Sequence, residues 1–152
     1  MRRQYEFTLW VLVMVAGIHF LEEYALDLRS WLEFVLKVPV TWEQCHVVNA
    51  ALMLFAVGGA CVGWRAPALS LIMPAVFVIN GLAFHVAFSI IWQRYSPGAV
   101  TSAVLFVPAG LWSFVGAHRD GVLTRPVLYC AIAGGVAWHL YLLAFHLAGP
   151  PR

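Results

Sequence analysis

Five stretches of the chain are almost wholly apolar, and short polar breaks divide them. They cover about residues 5–24, 41–63, 66–92, 97–117 and 125–147. A helix crosses the hydrocarbon core of a bilayer in ~20 residues. Lipid offers backbone N–H and C=O groups no partners, so such segments must close their own hydrogen bonds as helices. The predicted fold is therefore an all-α, polytopic transmembrane bundle of about five spans, forming one membrane domain over residues 1–152.

The breaks carry turn chemistry. Trp64-Arg65-Ala66-Pro67 reads as a tight turn between spans two and three. Arg94-Tyr95-Ser96-Pro97-Gly98 ends span three, with Pro97 suited to the first turn of a new helix. Arg119-Asp120-Gly121 opens the link to span five. The longest link, residues 26–40, sets Leu28, Trp31, Leu32, Val35 and Leu36 against Asp27, Arg29, Glu33 and Lys37. Apolar residues at i, i+3, i+4 and i+7 predict a short amphipathic helix lying at the membrane interface.

Composition supports the same picture. Of the residues, 62% are hydrophobic and 11% charged, against roughly 25% charged in a soluble domain. A net charge of +2 with no basic run excludes nucleic acid as an expected partner. With the N-terminus cytoplasmic, Arg2, Arg3, Arg65, Arg119 and Arg125 fall inside, against Arg29, Lys37, Arg94 and Arg152 outside. That bias predicts N-in, C-out. Glu22-Glu23 stands where a signal-peptide cleavage site would have to lie, so the first apolar segment is expected to be a retained helix. Cys45, Cys61 and Cys130 match no zinc spacing and are expected to be buried thiols. Most of the seven tryptophans lie near predicted span ends, as an interfacial belt would place them. Gly58-Gly59-Ala60 and Gly134-Gly135 suggest close helix packing.

The ionisable residues inside the spans are the informative exception, because such groups are costly in lipid and usually face a bundle interior. Span one ends in His19-Phe20-Leu21-Glu22-Glu23, with both glutamates within one turn of His19. Span two begins with His46 and Asn49 on one face, span three carries Asn80 and His85, and span five carries His139 and His146. Following the alternating direction of the spans, all of these fall in one membrane half; His118 alone lies on the other side. Imidazole and carboxylate are the ligands of borderline divalent metals, whereas a plain ion pair would call for Arg or Lys. Facing helices build such sites from His and Glu three or four residues apart. The expected metal ligands are His19, Glu23, His46 and His85, with His139 as a further candidate. Glu22 is the candidate general base, and Asn49 and Asn80 suit second-sphere or substrate-orienting roles.

His19-Phe-Leu-Glu22-Glu23 resembles the H-x-x-E-E signature of the HXXEE-motif family, small bacterial membrane proteins of unknown function. Asn80, His85 and Tyr95-Ser96-Pro97-Gly98 resemble further recurring features of that family, so the likeness runs from span one through span four. It implies a shared polar site in a bacterial inner membrane and leaves the chemistry open.

Three functions compete. A metal-dependent intramembrane enzyme, binding zinc or iron, would act on a lipid-like or amphipathic molecule, with hydrolysis preferred and iron-dependent oxidation as the variant. A carrier of protons, metal ions or small metabolites would use the same residues, but would want ionisable groups in both membrane halves. A scaffold, with oligomerisation open to any of the three, would use the cluster only to hold helices together.

Overall fold

A computed structural model of the chain describes residues 3–147, with the side chains of His146 and Leu147, like Arg2 and Arg152, outside the described residues. Among the described residues the chain is all helical, and five helices are long and apolar enough to cross a membrane: Thr8–Ala25, Trp42–Arg65, Pro67–Ile91, Ala99–Arg119 and Arg125–Phe145. The protein is thus a five-span helical bundle. Its exterior is apolar, with Met14, Leu21, Leu54 and Leu140 all exposed, as a lipid-facing surface requires.

The interior is filled by Leu9, Leu12 and Ala16 of span one, Leu52 and Ala56 of span two, Leu71, Val76 and Phe77 of span three, and Phe106 of span four. Small residues set the helix spacing. A Cβ on Gly134 would meet Ile72 at 2.8 Å and one on Gly135 would meet Ala75 at 3.0 Å, so spans three and five approach closely at this pair. Gly59 packs on the backbone of Ser70, whereas Gly58 has open space around it. Of the three thiols only Cys45 is buried; Cys61 and Cys130 are exposed on the lipid-facing surface.

The predicted amphipathic helix forms at Leu28–Val35. Asp27 starts it, accepting from Ser30 N–H at 3.2 Å and from the Ser30 hydroxyl. Asp27 and Lys37, on either side, both take left-handed backbone conformations (φ 51° and 59°) that turn the chain into and out of the helix. Span two is then launched by a capping box, in which Thr41 Oγ1 accepts from Gln44 N–H and Gln44 Oε1 accepts from Thr41 N–H.

Two spans are irregular. Residues Asn80–Val86 of span three and Ser102–Phe106 of span four are π-helical, and the two segments pack against each other. Such bulges concentrate at functional sites. The opposite end of the bundle is tied by Asp120, which accepts from Tyr5 N–H at 2.8 Å, Gln4 N–H at 3.2 Å and the Trp64 indole at 2.9 Å. Trp64 is therefore a buried anchor and not part of an interfacial belt.

Candidate metal centre

His19, Glu23 and His85 converge between spans one and three. All three are buried, and one ligand atom from each lies within 4.8 Å of the others. His19 and Glu23 meet because residues four apart share a helix face. Glu23 Oε1 is 3.2 Å from His19 Nε2 and 3.6 Å from His85 Nε2. Four ligands at the tetrahedral corners of a zinc ion, with bonds of ~2.0–2.1 Å, stand about 3.3 Å apart. The two carboxylate–imidazole spacings have that size.

Each group is held from behind. Glu23 Oε2 accepts from the Asn49 amide at 3.2 Å. His19 Nδ1 lies 2.7 Å from Thr101 Oγ1, and the Thr101 hydroxyl donates onward to Gly98 C=O. With its one proton directed there, the hydroxyl accepts from His19 Nδ1–H, which leaves the lone pair at Nε2. That nitrogen stands 3.2 Å from the Glu23 oxygen yet has no hydrogen-bond partner, so both remain available to a cation. His85 Nδ1 in turn lies 3.3 Å from the Ser96 hydroxyl. This is the arrangement that orients metal-ligating imidazoles, the outer nitrogen engaged and the inner one presented.

The Tyr95-Ser96-Pro97-Gly98 turn closes over the group. Gly98 has φ 94°, and a Cβ there would stand 2.6 Å from His19 Cε1 and 2.8 Å from His85 Cε1, so only glycine lets the backbone sit on both rings. Beneath, the His19 ring stacks on Phe106 at 4.0 Å, and Phe106 stacks on Phe77 at 4.1 Å. The imidazole is clamped from both sides.

Glu22 is placed differently from the candidate base expected of it. Its carboxylate accepts from the N–H groups of Gly98, Val100 and Thr101, at 3.1, 3.3 and 2.8 Å, and from the Tyr95 hydroxyl. It thus caps the start of span four and holds the turn on the two imidazoles. Tyr95 responds: partial burial, and then the bond to Glu22, raise its hydroxyl above the usual tyrosine range.

His46 is not brought into the group. It is exposed, beside the rings of Trp42 (5.7 Å) and Tyr24 (6.4 Å), and lines an adjoining pocket that shares Glu23 and Asn49 with the cavity of the three-residue group. His139 and Asn80 also stand outside the three-residue group, yet both line the cavity onto which it opens. That cavity has a volume of about 250 Å³. Its walls are mostly apolar and include Leu28, Trp31, Leu32 and Leu36 from the amphipathic helix and the segment after it. Thr101, Ser96 and Gly98 are the contributors that reading of the sequence did not single out as site residues. The Tyr-Ser-Pro-Gly turn was the available signal.

No curated protein and no solved structure matches the chain. The family described as "Protein of unknown function with HXXEE motif" matches over residues 10–113, a stretch that holds the His19–Glu23 motif, Asn49, Asn80, His85 and the turn that covers them. The chain therefore belongs to the HXXEE-motif family.

Proposed function

We propose that this protein is an intramembrane metal-dependent enzyme, hydrolytic in type, acting on a lipid-like or amphipathic molecule. The observation that carries the reading is the convergence of His19 Nε2, His85 Nε2 and Glu23 Oε1 at the wall of an apolar cavity. Two imidazoles and one carboxylate suit a catalytic zinc, with the remaining position for water or substrate. A metal held there would supply a polarised oxygen and an activated water. The chain's own residues do the rest. Thr101 and Ser96 fix the imidazoles, Asn49 turns the carboxylate, and the apolar walls receive an acyl or alkyl chain. Glu22 acts by holding the turn in place.

The same donor set, two histidines and one carboxylate, also serves iron(II) in oxygen-activating sites. This favours an iron-dependent oxidation as the second chemistry. A carrier is less well supported, since the span interiors away from the cavity are packed with Leu12, Leu71, Val76 and Phe77. We place the N-terminus in the cytoplasm of a bacterial inner membrane on the distribution of arginines, which sets the metal group toward the outer leaflet.

The test is turnover. Protein reconstituted in lipid vesicles should cleave members of a panel of long-chain esters and amides. A chelator should abolish the activity, zinc or iron(II) should restore it, and His85→Ala should lack it. Oxidation of the chain without cleavage would select the iron chemistry. Solute uptake into the vesicles with no change in any panel member would contradict an enzyme.

A further inference from the structure

Three groups on the cavity wall are left over once the metal group is accounted for. His139 is only 8% exposed, and its Nδ1 lies 2.8 Å from Gly135 C=O. A carbonyl can only accept, so Nδ1 carries the proton and donates, which puts the lone pair of the neutral ring at Nε2. That Nε2 is buried and has no hydrogen-bond partner. Asn80 Oδ1 is a second buried acceptor in the same condition. The Trp31 indole N–H, on the amphipathic helix, is an unpartnered donor. All three residues line the one cavity. Buried polar groups are nearly always paired, so three orphans on one apolar chamber are the mark of an absent polar partner.

Their chemistry restricts that partner. Two acceptors call for a hydrogen-bond donor. An ionised phosphate or carboxylate would set lone pairs against lone pairs, and among the described residues the cavity lining holds no lysine or arginine to receive it. An ammonium would bring a charge into an apolar chamber whose one lining carboxylate, Glu23, belongs to the metal group and is held by Asn49, at a heavy desolvation cost. A hydroxyl is neutral, donates its one proton to either acceptor or shares it between them, and can still accept from a group such as the indole.

We propose that Asn80 and His139 recognise a hydroxyl head, so that the molecule entering this cavity is a long-chain alcohol or another hydroxyl-bearing amphipath, not an anionic lipid. The proposal rests on the reading of this cavity as the ligand chamber, and it is independent of which metal the His19 group holds. His139 is poised for the role by its surroundings. Its ring lies parallel to Phe84 (centroids 4.8 Å apart, 8° between planes), which keeps Nε2 from swinging away.

The experiment titrates 1-decanol, methyl nonyl ether and decanoate into detergent-purified protein by calorimetry, in identical micelles. Wild type should bind the alcohol about tenfold or more tightly than the ether, which keeps an acceptor but has no donor. His139→Phe retains the stack on Phe84 and removes the acceptor; it and Asn80→Leu should each bring the preference to within about threefold. His85→Ala should lose bound metal yet keep the alcohol preference, so failure of the metal reading is distinguishable from failure of this one. Equal affinity for alcohol and ether in wild type would overturn the proposal. So would tighter binding of decanoate than of decanol by the metal-free His85→Ala protein, or an undiminished preference in both variants.

Discussion

Replacing Gly98 by alanine perturbs the site without replacing any proposed ligand. Its φ of 94° is a left-handed conformation, in which a side chain costs roughly 1–3 kcal/mol. The new Cβ would lie 2.6 Å from His19 Cε1 and 2.8 Å from His85 Cε1. Carbon atoms rest at ~3.5–4.0 Å, so each ring would have to withdraw by about 1 Å. His19 has nowhere to go, being 1% exposed and stacked on Phe106 behind it. A metal site tolerates deviations of roughly 0.2 Å in its bond lengths, well below the displacement required. Gly98→Ala should therefore lower metal affinity by at least the ~10–100-fold typical of lost supporting interactions, while reducing stability by about 1–3 kcal/mol. Gly17→Ala is the matched control, since nothing lies within 4 Å of its Cβ and its φ is ordinary. Competition against a fluorescent zinc chelator gives the affinity, and thermal unfolding in detergent gives the stability. Affinity of Gly98→Ala within threefold of both wild type and Gly17→Ala would refute the claim that this turn clamps the imidazoles.

Further expectations concern residues around the centre. Thr101→Val removes the acceptor for His19 Nδ1–H and should weaken metal binding about 10–100-fold, with Thr101→Ser restoring most of it in the same chelator competition. Glu22→Gln leaves one acceptor oxygen for four donors and should lower stability in thermal unfolding by about 1–3 kcal/mol. The bond between Tyr95 and Glu22 needs the neutral phenol, and the hydroxyl titrates above its unfolded value. Its contribution is thus complete below the ordinary tyrosine pKa of ~10 and lost as pH rises through the higher folded value. Ultraviolet titration of wild type against Tyr95→Phe should show one late-titrating tyrosine, and Glu22→Gln should bring it down. Asp120→Ala unties Tyr5, Gln4 and Trp64 at the far end and should cost about 2–4 kcal/mol in unfolding experiments, with bound metal unchanged by elemental analysis.

Much of the architecture was legible because lipid enforces it. Five apolar segments of spanning length must be helices, and their alternation places His19, Asn49, Asn80, His85 and His139 at one end, where they line one cavity. Helical spacing was also enough to pair His19 with Glu23. It was not enough for His46. Sharing a face with Asn49 left open which edge of that face meets span one, and only Asn49 reaches Glu23. Nor does a regular helix account for span three, where residues five apart stand roughly 140° apart. The π-helical turn from Asn80 to Val86 brings Asn80 and His85 onto the same cavity, and nothing in the local sequence announces it. The surroundings of Glu22 were not legible for another reason. Its carboxylate accepts from three backbone N–H groups at the start of span four and the turn before it, an encounter that is purely tertiary. The amphipathic helix forms where the periodicity predicts it, and its apolar side also lines the cavity, which the sequence does not indicate.

Elemental analysis of detergent-purified protein, wild type beside His19→Ala, Glu23→Ala, His85→Ala and His46→Ala, tests the central claim most directly. The account predicts one zinc or iron per chain in wild type and in His46→Ala, and loss of it in the other three. No metal above background in folded wild type, or full occupancy in folded Glu23→Ala, would contradict it.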